Sequence, residues 1–102
     1  MLTTARKPAG VGEIITEEFI APLGLTQAEL AGAMGVPRKH VNELCNDRRR
    51  ITAATALILA RVFDNTPDFW LNLQRRVDLW EAMNDPDERA RIERAKPLNR
   101  AA

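Results

Sequence analysis

The sequence has no tyrosine, one cysteine and one histidine. A lone cysteine, Cys45, excludes an internal disulfide and the usual zinc patterns, and it suits a reducing compartment. A lone histidine, His40, leaves no second imidazole for acid–base work. Cys45 lies five residues further on, off the helical face of His40, and no third group is there to orient the pair. Neither a metal centre nor a Cys–His catalytic site is expected. No glycine-rich phosphate loop is present, and Glu17 and Glu18 are adjacent and point apart, as on a solvated face. No apolar run approaches membrane-spanning length and no secretory h-region follows the start. These shortages predict a cytosolic protein with no cofactor, no catalysis and no membrane contact.

What is present is an ordinary globular composition, 45% hydrophobic and 28% charged over 102 residues, enough for one domain with a modest core. The net charge of +1 conceals an uneven distribution. Met1 to Gly35 carries two basic residues (Arg6, Lys7) against four acidic ones (Glu13, Glu17, Glu18, Glu29). Val36 to Thr52 reverses the balance, with five basic residues (Arg38, Lys39, Arg48, Arg49, Arg50) against Glu43 and Asp47. A local anion-binding surface follows from that asymmetry.

Residues 1–11 lack periodicity and contain Pro8 and Gly10, which predicts a flexible N-terminal arm. From Gly12, Ile14, Ile15, Phe19 and Ile20 share one helical side until Pro22 and Gly24 end the helix. Thr26 with Glu29 forms a capping-box pattern for a helix that buries Leu30, Ala31 and Met34 and stops at Gly35. Pro37 suits the first turn of the next helix, in which Val41, Leu44 and Cys45 face inward. Thr52 caps a helix apolar on most sides, hence central. Thr66-Pro67-Asp68 starts the last core helix, which carries Phe69, Trp70, Leu73, Val77 and Trp80. The charged tail, 85–102, is compatible with a marginal helix up to Lys96. The expected fold is all-α: a five-helix domain over residues 12–84 with arm and tail either side.

The stretch from Leu25 to Thr52 constrains function most. Two short helices cross steeply only if a small residue sits at the contact, and Ala31 is placed there. The turn needs a residue tolerant of positive φ, supplied by Gly35. Val41 and Leu44 anchor the second helix, with Leu30 and Val36 completing a helix-turn-helix pattern. Arg38, Lys39, Asn42 and Glu43 then face outward near the start of the second helix, and these side-chain types can read base edges in the major groove. Gln27, at the first helix's N-terminus, and His40 are placed to meet phosphate. Arg48, Arg49 and Arg50 are expected to lie along the DNA backbone. One such helix reads few base pairs, so specificity calls for two half-sites about 34 Å apart and a two-fold dimer. Trp70, Leu71, Val77 and Trp80 are the expected dimer contacts.

Three blocks carry a family resemblance: "GEIITEEFIAPLGLTQAELA" (Gly12–Ala31), "GVPRKHVNELCNDRRRITAATALILARVF" (Gly35–Phe63) and, most specifically, "TPDFWLNLQRRVDL" (Thr66–Leu79). The chain resembles the HigA-type antitoxins of bacterial toxin–antitoxin modules, a branch of the phage-repressor-like (XRE) helix-turn-helix proteins. The resemblance implies a homodimer that binds a palindromic operator in double-stranded DNA and represses its own operon. It also implies neutralisation of a small RelE-like, HigB-type ribonuclease toxin. The chain departs from the family where Gly10-Val11 replaces the usual His-Pro and Asn46-Asp47 replaces Asn-Gly. Ala54 and Ile58 also stand at usually polar positions. A stand-alone regulator without a toxin, and a helical adaptor, are the alternative readings of the residues.

Overall fold

The structure, a computed structural model, describes residues 6–98. Residues 1–5 of the expected arm and 99–102 of the expected tail lie outside the described residues. Every regular element among the described residues is helical. Helix α1 is one continuous rod, α-helical over Val11–Ile14 and Ala21–Leu23 and π-helical over Ile15–Ile20. It is followed by α2 (Gln27–Met34), α3 (Arg38–Cys45), α4 (Ala53–Phe63), α5 (Pro67–Asn84) and α6 (Pro86–Arg94). Five helices make the domain and the tail supplies a sixth, as the pattern predicts.

The boundaries have local causes. Gly24 and Gly35 end α1 and α2 with φ of 65° and 71°, a left-handed conformation that glycine adopts without a Cβ penalty. At the head of α2, the Thr26 hydroxyl accepts from the Glu29 N–H at 3.0 Å, and the Glu29 carboxylate accepts from the Thr26 N–H at 2.9 Å. Thr52 and Thr66 cap α4 and α5 from one side only, each hydroxyl accepting from the N–H three residues on. Pro37 is the N-cap of α3, one position earlier than its expected place inside the first turn. Asp85 ends α5 and caps α6, accepting from the N–H groups of Asp87 and Glu88. Helix α6 buries no residue and ends at Arg94, two residues short of the expected limit. Exposed pairs such as Arg91–Glu88 support it only weakly.

The core forms around Trp70, Ile15, Leu30, Leu44, Leu59 and Val41, all fully buried. The rings of Phe19, Phe63 and Phe69 surround Trp70 at centroid distances of 5.0, 5.9 and 4.9 Å, in the tilted and edge-on arrangements aromatic quadrupoles favour. The Trp70 indole N–H donates to Asn65 Oδ1 at 2.8 Å, so its burial leaves no polar group unpaired. The π turn is a feature that apolar periodicity does not signal. Its i→i+5 bonding aligns residues five apart, bringing Ile20 over the buried Ile15 with Phe19 beside it, both packed on the core.

Two expectations need correction. Val11 belongs to α1 and not to an arm, being 5% exposed within the core. Helix α4, expected to be central because it is apolar on most sides, buries Ala56, Leu59 and Ala60 but leaves Leu57 59% exposed.

The N-terminus of α1 seats directly on the C-terminal end of α3. The Gly12 N–H donates to Asp47 Oδ1 at 2.9 Å, and a carboxylate at a helix N-terminus is favoured by the macrodipole. A Cβ added at Gly12 would stand 2.3 Å from the Cys45 carbonyl oxygen and 2.6 Å from that of Leu44. The atoms it would meet are backbone, which cannot swing away. Gly12→Ala should therefore destabilise the domain by about 1–3 kcal/mol, the usual range for overpacking. The denaturant midpoint measures this, and an unchanged midpoint would show that the two helix ends can separate freely.

Candidate nucleic-acid interface

Helices α2 and α3 form the helix-turn-helix that the spacing predicts. Leu30 and Ala31 on α2 and Val41 and Leu44 on α3 are buried together. After the left-handed Gly35, the Val36 N–H donates back to the Ala31 carbonyl at 3.1 Å, closing the turn. With Val41 and Leu44 held inside, helical periodicity turns Arg38, Lys39 and Asn42 to solvent at the start of α3. Among the described residues, neither Arg38 nor Lys39 has a side-chain partner.

Asn42 is oriented before any ligand arrives. Its Nδ2 donates to Gln27 Oε1 at 3.2 Å, joining the first residue of α2 to the exposed face of α3. This contact leaves Asn42 with Oδ1 and a second amide hydrogen, the acceptor and donor needed for two-pronged pairing with an adenine edge. Gln27 keeps its own amide donors for a phosphate oxygen. The two expected roles therefore suit one preformed pair.

The remaining expected contacts are distributed differently. Glu43 Oε1 accepts from Arg49 Nε at 2.9 Å and lies 2.8 Å from Arg49 Nη2. Neither side chain is free in the unbound protein, and only Glu43 Oε2 remains open to a base. Arg50 turns away from α3 to Asp78 on α5, with Nη1 donating to Oδ1 at 2.9 Å and Nη2 to Oδ2 at 2.5 Å. Arg48 is exposed and, among the described residues, has no partner. Three arginines adjacent in sequence thus have three different environments.

His40 turns Nε2 inward, away from the expected phosphate contact: this atom is buried and, among the described residues, unpaired. Desolvation lowers its pKa, and Arg49 lowers it further against a small opposing influence from Glu43. Burial raises the Cys45 thiol, so it is mostly protonated and a poor nucleophile at neutral pH. The hydrogen bonds from Arg50 hold Asp78 below its ordinary range, with a smaller contribution from Gln74. Among the described residues, no group of three or more His, Cys, Asp or Glu is placed to hold a metal ion. No described helix is long and apolar enough to cross a membrane.

The four expected dimer contacts separate. Trp70 is sealed within its own subunit and has no surface to offer a partner. Leu71 is half-buried against the same core, and nine residues of helix place it opposite Trp80 on α5. Val77 and Trp80 remain as half-buried surface. Among the described residues the Trp80 indole N–H has no partner, and the Lys7 ammonium lies 5.9 Å from its ring centroid. Lys7 also pairs with Glu81 at 3.3 Å, which ties part of the expected flexible arm to α5.

Two positions with direct bearing on the site, Gln74 and Asp78, were not foreseen. Gln74 Oε1 accepts from the Ile51 N–H at 3.1 Å, and its Nε2 donates to Asp78 Oδ1 at 3.0 Å. The only sequence hint is their four-residue spacing on one helical face. Nothing local connects them to Arg50.

Residues 17–70 match the profile of the helix-turn-helix family. Over 98 residues the chain is 46% identical to the antitoxin HigA-1 of Vibrio cholerae, covering 96% of this chain and 90% of that one. The solved antitoxin GraA in complex with its operator is 36% identical with a TM-score of 0.83, covering 98% of this chain and 100% of that one. The Pseudomonas aeruginosa antitoxin HigA, solved with the higBA promoter, is 33% identical with a TM-score of 0.80, covering 89% and 98%.

The lowered His40 pKa has a direct readout, because the chain has one histidine. An imidazole whose folded-state pKa lies below its unfolded value contributes stability that is present above the unfolded value, about 6.5, and lost as pH falls through the folded value. His40 should therefore be neutral at pH 7 and titrate below about 6.5 in an NMR pH series. A midpoint above that value would mean that the ring is solvated and faces its acidic neighbour.

Proposed function

The chain belongs to the HigA-type branch of the helix-turn-helix family, and from that premise we propose a dimeric antitoxin that binds its own operator. As a repressor it occupies a palindromic site and silences its operon; as an antitoxin it neutralises a small RelE-like ribonuclease. The observation that carries the DNA reading is the preformed Gln27–Asn42 pair beside the unpartnered Arg38 and Lys39. This set combines base-edge chemistry with a phosphate anchor, and its Gln27–Asn42 pair needs little side-chain ordering on binding. Arg38 and Asn42 read bases, Lys39 reads a base or reaches the backbone, and Glu43 contributes through Oε2. Gln27 and Arg48 hold phosphate. The dimer contact uses Val77 and Trp80, where α5 retains apolar surface outside the core.

The two groups of cations should separate in a salt series on operator and scrambled duplexes. Arg38→Ala should cost about 1–3 kcal/mol of discrimination at one operator position in each half-site and leave non-specific affinity mostly intact. Arg48→Ala should weaken all duplexes alike and reduce the log-affinity versus log-salt slope by about 0.9 per subunit. Equal losses on both duplexes for both variants would reduce the surface to a general anion patch. In the same preparation, sedimentation at micromolar concentration should give a dimer; a monomer that still recognises the palindrome would overturn the two-fold arrangement.

The antitoxin activity rests on kinship with HigA-1 and is tested in cells. Expression of the small ribonuclease-like product of the neighbouring reading frame should arrest growth, and co-expression of this chain should restore it. Rescue should survive Arg38→Ala, since toxin and DNA use separate surfaces. An active toxin that neither co-purifies with the chain nor yields to it would leave a stand-alone regulator.

A further inference from the structure

Arginine forks match phosphate and carboxylate with the same two-pronged geometry. The carboxylate of Asp78 therefore occupies the end-on fork of Arg50, Nη1 and Nη2, one of the two donor pairs through which a DNA phosphate could be held. Its position is secured by Gln74. Gln74 donates to Asp78 Oδ1 while accepting from the Ile51 N–H, so the segment leaving the reading helix and the carboxylate that holds Arg50 share one hydrogen-bonded chain. Glu43 differs, because it lies on the reading helix itself, six positions before its partner Arg49. Asp78 belongs to α5, outside the helix-turn-helix, and engages Arg50 across 28 positions of sequence.

We propose that Asp78 acts as an internal phosphate mimic that withholds Arg50 from the DNA backbone and so limits sequence-independent affinity. The inference rests on the DNA-binding reading above and adds a positioning residue to it. Arg48 makes the open backbone contact of the three arginines, while Arg50 remains on α5. Base reading by Arg38 and Asn42 is untouched, since neither contacts the Asp78 network.

The test is a fluorescence-anisotropy titration of the full chain with operator and scrambled duplexes across a salt series. Asp78→Asn removes the charge and keeps an amide oxygen for Gln74, so the fold is retained. It should tighten both duplexes and steepen the salt slope by about 0.9 per subunit. Between 50 and 200 mM salt that slope corresponds to an advantage over wild type that shrinks about 3.5-fold per subunit. Arg50→Gln alone should change neither affinity nor slope, and in the double variant the gain should vanish. Unchanged binding by Asp78→Asn overturns the proposal. So does a gain that persists in the double variant, which would be a general effect of removing negative charge. A reduced slope for Arg50→Gln alone would place Arg50 on phosphate already and overturn it as well. Wild-type protein that binds no duplex would overturn the DNA reading itself, an outcome distinct from the other three.

Discussion

The head of α1 rests on the tail of the reading helix, and much of the interface depends on that seat. At Gly12 the backbone comes so close to the Leu44 and Cys45 carbonyls that no side chain fits between them. Asp47 completes the junction by accepting the Gly12 N–H, and it does so from a left-handed conformation, φ 55°, that is uncommon for a residue with a Cβ. The carboxylate brings a charge-assisted hydrogen bond that a glycine at this position could not supply. The junction fixes where α3 ends, and therefore where Arg48, Arg49 and Arg50 leave it.

A small core sets the second constraint. Trp70 fills the space between α1, α4 and α5 and uses its single donor on Asn65. Leu71 is half-buried on the same core. Half-buried apolar surface is left further along α5, at Val77 and Trp80. One helix thus closes the core with its first half and keeps apolar surface on its second. It also reaches the helix-turn-helix through Gln74 and Asp78, so α5 joins the core to the interface.

Electrostatics in this chain operates through pairing more than through net charge, which is only +1. The basic segment would look like a uniform cationic patch if its charges were simply summed. Two of its five cations, Arg49 and Arg50, are matched by carboxylates from different helices. Among the described residues, Arg38, Lys39 and Arg48 stay open. Exposed ion pairs add little stability, so the main consequence of this pairing is which cations are left for an anionic ligand.

Local chemistry made much of the molecule legible from its sequence. Thr26 with Glu29, the positive φ of Gly35, and the inward spacing of Val41 and Leu44 each act over a few residues, where propensity and periodicity are informative. The same holds for the exposed start of α3, because fixing two buried positions on a helix fixes what points outward. Tertiary structure decided what depends on residues distant in the chain: the place of Val11 in the core, the contact of Gly12 with Cys45, the internal role of Trp70, and the separate fates of the three arginines. A sequence lists Arg50 and Asp78 28 positions apart with no periodicity connecting them. Only the packing of α5 against the end of the reading unit brings the two charges within hydrogen-bonding distance, because side-chain pairing depends on separation in space and not along the chain.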